Sequence, residues 1–324
     1  MSRVLITGGG GFIGAHLARH FADRDQEVDL VDDFSRGRLD ADLAALVERP
    51  NVRLIEKDML VPGALEDISA DYALIFHLAA IVGVANVLDA PDRVLRRNVE
   101  LLVSALELAA RQGDLERFVF ASTSEVYAGT LALGDLPLPT PEDAPLTVPD
   151  PRLPRTSYML SKIFGEAMSF QSGLPVTVVR PHNVYGPRMG LAHVIPELLQ
   201  RAYEAEDGGR LGVYSVEHRR TFCHVSDAVE MFSRAAQAAE GAGETLNVGK
   251  QEPEIPIGEL AELIVEVVGR RLEIEPLETH PGSPARRCPD MTRTSEVTGY
   301  LAEMSIEDGV RDTYDWYRRN VFEA

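Results

Sequence analysis

Cationic side chains are scarce in this 324-residue chain: 32 Lys and Arg face 51 Asp and Glu, a formal charge of -19. Such a surface opposes broad attraction to nucleic acid or to an anionic membrane, so neither is expected as a partner. Any anionic ligand has to be held by locally placed Arg or by backbone amides. Lysine is rarer still, with Lys57, Lys162 and Lys250 as its three copies. Cysteine is nearly absent, and Cys223 and Cys288 are too few for a disulfide framework or a structural zinc site; they read as reduced thiols. His182, His193 and His224 lack metal-ligand spacing, and no metal is expected. No apolar run approaches 18 residues, and the apolar part of the opening "MSRVLITGG" is too short for a signal peptide or a membrane span, which predicts a cytoplasmic protein. Internal repeats, low-complexity tracts and coiled-coil heptads are also missing.

What is present is an alternation. Short apolar runs, "RVLITG", "EVDLVDD", "NVRLIEKD", "YALIFHLAA", "RFVFAS" and "PVTVVRP", alternate with helix-like stretches at 12–23, near 62–69, at 92–112 and at 157–172. This predicts an α/β fold, a doubly wound parallel sheet of Rossmann type whose ligands sit at the carboxyl ends of the strands. After Arg180 the alternation loosens into loops at 181–196 and 276–289, helices at 193–205 and 257–268, and one more strand in "TLNVG" at 245–249. A smaller, interleaved C-terminal substrate domain is therefore expected. Residues 1–180 plus about 221–250 would form the sheet domain, and about 181–220 plus 251–324 the smaller one. The Pro- and Leu-rich segment 129–155 reads as a long functional loop.

Two local patterns carry chemistry. "TGGGGFIG" follows the first strand and opens the first helix, with Gly8, Gly11 and Gly14 spaced to let a pyrophosphate approach the helix N-terminus. The second strand ends in Asp32, where a carboxylate accepts hydrogen bonds from an adenosine ribose and repels a 2′-phosphate, so NAD is expected rather than NADP. "SYMLSK" puts Tyr158 and Lys162 four residues apart on one helix face. An ammonium beside a phenol lowers its pKa and makes a tyrosinate base accessible. "TSEVY", Thr123–Tyr127, adds hydroxyls and a carboxylate at the end of the fifth strand.

"TGGGGFIG", "DDFSRG", "HLAA", "STSEVY", "SYMLSK" and "RPHNVYGPR", in this order, resemble the extended short-chain dehydrogenase/reductases, the nucleotide-sugar epimerases, dehydratases and decarboxylases. The resemblance spans nearly the whole chain. It implies an NAD-binding Rossmann domain, a nucleotide-diphosphate-sugar substrate with a UDP-sugar favoured, and a homodimer formed through helices 92–112 and 157–172. By this resemblance Tyr158 is the catalytic base, Lys162 its partner on the nicotinamide ribose, and Thr123 the hydroxyl that bonds the sugar. Gly8, Gly11, Phe12, Ile13, Gly14, Asp32, Asp58, Met59 and His77 to Ala80 (His77, Leu78, Ala79, Ala80) line the cofactor, while Asn183 and Arg220 hold the diphosphate.

The family oxidises the sugar at C4, then diverges. Epimerases return the hydride to the opposite face, dehydratases lose water, and decarboxylases lose a C5 carboxylate. Thr123-Ser124-Glu125 resembles the decarboxylases of UDP-glucuronate, as do Arg155 in "PRTSY" and Arg287 in "RRCPD". Glu125 is therefore expected to act in catalysis, and Ser124, Arg155 and Arg287 to bind substrate. The alternatives are a 4-epimerase, a 4,6-dehydratase, a simple alcohol dehydrogenase and a non-catalytic NAD sensor. "GVYSVEHRRTF", Ala128 and "TGYLA" depart from the family pattern where the sugar nucleotide is recognised.

Overall fold

Val4, Leu5 and Ile6 are fully buried in succession, the mark of a strand covered on both faces. This strand, β1 (Arg3–Thr7), is central in a seven-stranded parallel sheet. The computed structural model describes residues 3–69, 71–279 and 284–324. The other strands are β2 (Glu27–Asp32), β3 (Val52–Glu56), β4 (Tyr72–His77), β5 (Arg117–Ala121), β6 (Val176–Pro181) and β7 (Thr245–Val248). Their order is β7-β6-β5-β4-β1-β2-β3, and every pairing is parallel. The chain leaves β1 toward β2 and β3, then crosses back to β4, so a crevice opens at the carboxyl end of β1.

Helices α1 (Phe12–Ala22), α2 (Pro91–Ala110) and α3 (Pro154–Gln171) match three of the expected stretches. Leu17, Ala18 and Phe21 of α1 pack on one sheet face with Ala228, Met231 and Phe232 from a later helix. Leu101, Leu102, Ala105 and Leu108 of α2 cover the other face against Phe118 and Phe120. The smaller lobe holds α4 (Val194–Glu204) and, after the sheet-covering α5 (Val225–Gln237), α6 (Ile257–Val268) and α7 (Ile306–Tyr317). Leu199, Leu260, Ile264 and Val310 form its core. Met291, with Val297 and Tyr300 against it, packs instead on the sheet. Among the described residues no helix is long and apolar enough to cross a membrane.

Some local expectations are corrected. Residues 62–69 form turns rather than a helix, because Pro62 is followed by Gly63 at φ +76°. A helix that the spacing missed, Ala41–Val47, lies between β2 and β3, capped by Asp40 accepting from the Leu43 N–H at 2.9 Å. The 129–155 segment is irregular beyond a short helix, Ala128–Ala132. The 276–289 stretch instead contributes strand residues at Glu273–Leu277 and Arg286–Arg287, while 280–283 lie outside the described residues.

Two buried imidazoles make the fold sensitive to acid. Burial pushes His77 down to about 3, helped by the charge of Lys162; burial likewise pushes His182 to about 3, against a hydrogen bond to Asn247. Both stay neutral in the fold, while the unfolded chain protonates them below about 6.5. The unfolded state then binds more protons, so stability falls as pH drops below 6.5, by about 1.4 kcal/mol per pH unit for each group. Urea midpoints measured at pH 7.5, 6.0 and 5.0 should therefore decline steeply across the last two values; a flat series would mean the imidazoles protonate inside the fold.

Candidate active site

The glycine loop is dictated by contacts that leave no room for a side chain. Gly8 has φ +71°, and a Cβ there would lie 2.8 Å from the Ala79 nitrogen; at Gly14 it would lie 2.3 Å from the Gly8 carbonyl oxygen. β1, the turn and α1 thus come together only through glycine. Gly11 is the N-cap of α1 and brings no side chain to the cap, which leaves the helix N-terminal N–H groups available to an anion. Phe12 and Ile13 turn inward onto the sheet core. Asp32 accepts from the Gly10 N–H and the Phe34 N–H, both at 2.9 Å. Burial raises its pKa against those two donors. Across the crevice, Leu78 and Ala79 donate their N–H groups to the backbone oxygen and the hydroxyl of Thr7. Ala80 is half-buried beside them. Asp58 caps its own turn at the Leu60 N–H (2.8 Å), with Met59 buried beneath. A loop that excludes Cβ atoms, free helix N–H groups and a carboxylate at the end of β2 together fit a dinucleotide.

The reactive groups stand one strand over. Thr123 is the N-cap of a short 3-10 turn, Ser124–Tyr127, at the end of β5; its hydroxyl accepts from the Glu125 N–H at 3.2 Å and stands near enough to the Tyr158 phenol to lower its pKa. Tyr158 is pushed up to about 12 by burial; the Thr123 bond pulls it down, the Glu125 charge raises it and Arg36 lowers it. The expected lowering by Lys162 is not found in the protein alone. The Lys162 ammonium donates to the Ala121 carbonyl at 2.7 Å and lies 6.0 Å from the Tyr158 ring centroid. Burial brings Lys162 itself to about 8, with Glu166 opposing. Thr123 is thus the neighbour that lowers the phenol, and Lys162 has a fixed place on the strand end. Asn98 was not singled out from sequence, yet its amide bonds the Ile81 backbone twice (2.7 and 3.1 Å) and Ser161 at 3.2 Å, locking α2, α3 and the loop after β4 together. A polar side chain on the apolar face of "RRNVELL" was the available signal.

The substrate-side residues converge only in part. Arg287, 162 residues from Glu125, donates to its carboxylate at 2.6 Å. Arg287 pairs in register with Arg220 across two parallel strands, so two guanidiniums lie side by side. Burial and the charge of Arg287 push Arg220 down to about 10, against Glu254 and Glu125. Ser124 lines a small cavity with Arg287. Asn183, at φ +43°, spends its amide on the Thr221 carbonyl at 2.9 Å. Arg155 is exposed on the first turn of α3 and has no ion-pair partner among the described residues.

Beneath the turn lies a buried network that the motif reading also missed. Arg180 grips Glu166 with two hydrogen bonds (2.9 and 2.7 Å) and donates to the Tyr127 hydroxyl (2.7 Å) and the Glu142 carbonyl (2.8 Å). Ser122 donates to Glu166 at 2.5 Å, and Tyr127 to Asn247 on β7 at 3.1 Å. Replacing Arg180 with Met leaves Glu166 as a buried, unpaired charge, and should cost about 3–5 kcal/mol in chemical denaturation. Adding Glu166→Leu should recover much of that loss; a cost below about 1 kcal/mol for Arg180→Met would show that the turn is held by other contacts.

Known proteins resemble this chain over nearly its whole length. A 32% identical relative over 331 residues, covering 98% of each chain, is the UDP-N-acetyl-alpha-D-glucosaminuronate decarboxylase of Bacillus cytotoxicus. UDP-glucuronic acid decarboxylase 1 of Xenopus tropicalis is 31% identical and covers 98% of this chain and 73% of its own. Among solved structures, the UDP-glucose 4-epimerase of Thermotoga maritima superposes with a TM-score of 0.83 at 26% identity, covering 98% and 99% of the two chains. A family model matches residues 4–249, and the chain belongs to the family it describes, the NAD dependent epimerase/dehydratase family, which uses NAD to modify nucleotide-sugars.

Proposed function

We propose that the protein decarboxylates a UDP-hexuronate through transient oxidation at C4. The observation that carries this reading is the Glu125–Arg287 contact, which fixes a guanidinium beside the turn that holds Thr123. A second cation, Arg220, adjoins it. When bound, NAD supplies a hydride acceptor that is restored within the cycle. Tyr158, beside Thr123, in its tyrosinate form takes the proton of the sugar 4-hydroxyl as C4 is oxidised. The product of that step is a 4-keto sugar whose C5 carboxylate lies β to the ketone. The C5–C6 bond breaks, its electron pair moves into an enolate at the C4 oxygen, and CO2 leaves. Tyr158 and Thr123 stabilise the enolate oxygen, water protonates C5, and return of the hydride to C4 with the proton held by Tyr158 restores the 4-hydroxyl. Arg220 and Asn183 serve the diphosphate, with Ser124 beside the sugar. Glu125, Arg155 and Arg287 divide the binding and release of the uronate carboxylate. The Bacillus cytotoxicus relative, named for an N-acetylated uronate, makes a 2-acetamido uronate a second member of the substrate class.

The sheet lobe, 1–180 plus about 221–250, takes the cofactor in this reading and the interleaved remainder takes the sugar nucleotide. A homodimer through α2 and α3 is supported by exposed apolar residues on those helices, Val103, Phe164 and Phe170. A cytoplasmic location fits two unpaired thiols and a supply of NAD and sugar nucleotide.

Incubating the protein and NAD with UDP-glucuronate, its 2-acetamido analogue, UDP-glucose and a dTDP-hexose, followed by chromatography with mass detection, should show loss of CO2 from a uronate. A peak of unchanged mass would replace this reading with an epimerase, and loss of water with a dehydratase. Tyr158→Phe should lower turnover by about 100-fold or more while still binding NAD; full retention of function would mark a sensor. Sedimentation should give a dimer that Phe164→Asp converts to monomer, whereas an unaffected dimer would move the interface elsewhere.

A further inference from the structure

The crevice carries negative charge of its own. Asp32 and Asp33 stand at the end of β2 and Asp58 just beyond β3, and the doubly anionic linker of a dinucleotide has to pass nearby, at the α1 N-terminus. The α1 N-terminus offers backbone N–H groups, and its cap and first turn, Gly11 to Gly14, bring no cation. Of the cations nearby, Lys162 is spent on the Ala121 carbonyl. Arg188 is spent on Asp40 at 2.7 Å and on the Gly11 and Arg38 carbonyls.

Arg36 is placed differently. It sits on a turn that Asp32 itself builds, through the Phe34 N–H, with Phe34 at φ +53°. Gly37 presses this turn onto the glycine loop, since a Cβ on Gly37 would lie 3.0 Å from the Gly10 carbonyl oxygen. From there the Arg36 side chain crosses the crevice. Its Nη2 atom lies 3.9 Å from the position a Cβ would take on Gly83, in the loop that follows β4. It is also near enough to act on the Tyr158 phenol and the His193 imidazole, from the far side. Among the described residues no carboxylate lies within ion-pair distance of it. A guanidinium carries five N–H donors in a fixed fork matched to phosphate oxygens.

We propose that Arg36 is a strap over the cofactor crevice, its guanidinium hydrogen-bonding the diphosphate of the bound dinucleotide and holding it against the α1 N-terminus. The side chain leads away from Asp32 toward Gly83, so it addresses the linker between the two nucleosides and not a 2′-phosphate on the adenosine ribose. This rests on the NAD site and is independent of which sugar is bound.

The test is calorimetric titration of the full, NAD-stripped protein with NAD, ADP-ribose, adenosine and NADP, without sugar nucleotide. Arg36→Ala and Arg36→Gln should weaken NAD and ADP-ribose by the same factor, about 10- to 100-fold, and leave adenosine unchanged. Arg36→Lys should recover part of the loss, and the salt dependence of NAD affinity should become shallower in the Ala variant. Unchanged NAD affinity overturns the proposal. So does a loss confined to NADP, which would make Arg36 a reader of the 2′-phosphate, or an equal loss for adenosine, which would mean the 33–37 turn has collapsed.

Discussion

Arg180 and Glu166 are a guanidinium and a carboxylate buried together, at 4% and 8% side-chain exposure. Desolvating two charges is costly, and such a pair is tolerated only when the surplus donors and lone pairs are also satisfied. Here they are: Ser122, Tyr127 and the Glu142 carbonyl complete the set, and Asn247 extends it to β7 and to the Thr140 carbonyl. The consequence is directional. Glu166 lies one helical turn past Lys162 on α3, Arg180 lies on β6, and Tyr127 closes the turn that begins at Thr123. One buried pair therefore sets the spacing between the helix that carries Tyr158 and the turn that carries Thr123. A network of this kind admits one arrangement, which suits a site whose groups have to meet within hydrogen-bond distance.

Charge follows the same logic across the molecule. The chain carries a net negative charge, and two of the Arg residues expected to meet ligand, Arg220 and Arg287, are brought together. Arg220 and Arg287 lie side by side on short strands of the smaller lobe, and Arg188 joins Asp40 to the mouth of the glycine loop. The small sheet carrying Arg220 and Arg287 contributes little apolar area. Its two-residue strands hold a register, Arg286 with Arg219 and Arg287 with Arg220, that places like charges together at a cost. Glu125 offsets part of that cost.

The sheet was legible because its strands are buried on both faces and appear as unbroken apolar runs; "YALIFH" is buried at all six positions. The cofactor loop was legible because Gly8 and Gly14 answer to backbone geometry that no other residue satisfies. The buried network was not legible. Arg180 in "VTVVRP" reads as the polar end of a strand, Glu166 as an ordinary helix carboxylate, and Asn247 as a break in "TLNV"; their partnership spans up to 120 residues and exists only after β6 and β7 pair. Arg36 was hidden for a similar reason. Nothing in "DDFSRG" tells that the side chain crosses to Gly83, since the direction is set by the positive φ of Phe34 and the grip of Asp32. The short helix Ala41–Val47 had its capping Asp40 in plain view, and Pro62–Gly63 marked 62–69 as turns just as openly.

Two ion pairs in this molecule differ in burial, and the difference separates scaffold from site. Arg180–Glu166 is enclosed, so removing either partner strands a charge. Glu125–Arg287 is 42% and 21% exposed, a setting in which an ion pair is worth about 0–1 kcal/mol. An anionic ligand that offers Arg287 a carboxylate or phosphate of its own can take over the guanidinium at little cost. The carboxylate of Glu125 is then released next to Thr123 and Tyr158, where its charge already acts on the phenol. A weak, half-exposed pair thus holds Arg287 beside the turn of Thr123 and leaves it open to exchange with another anion, which the buried pair one layer below does not allow.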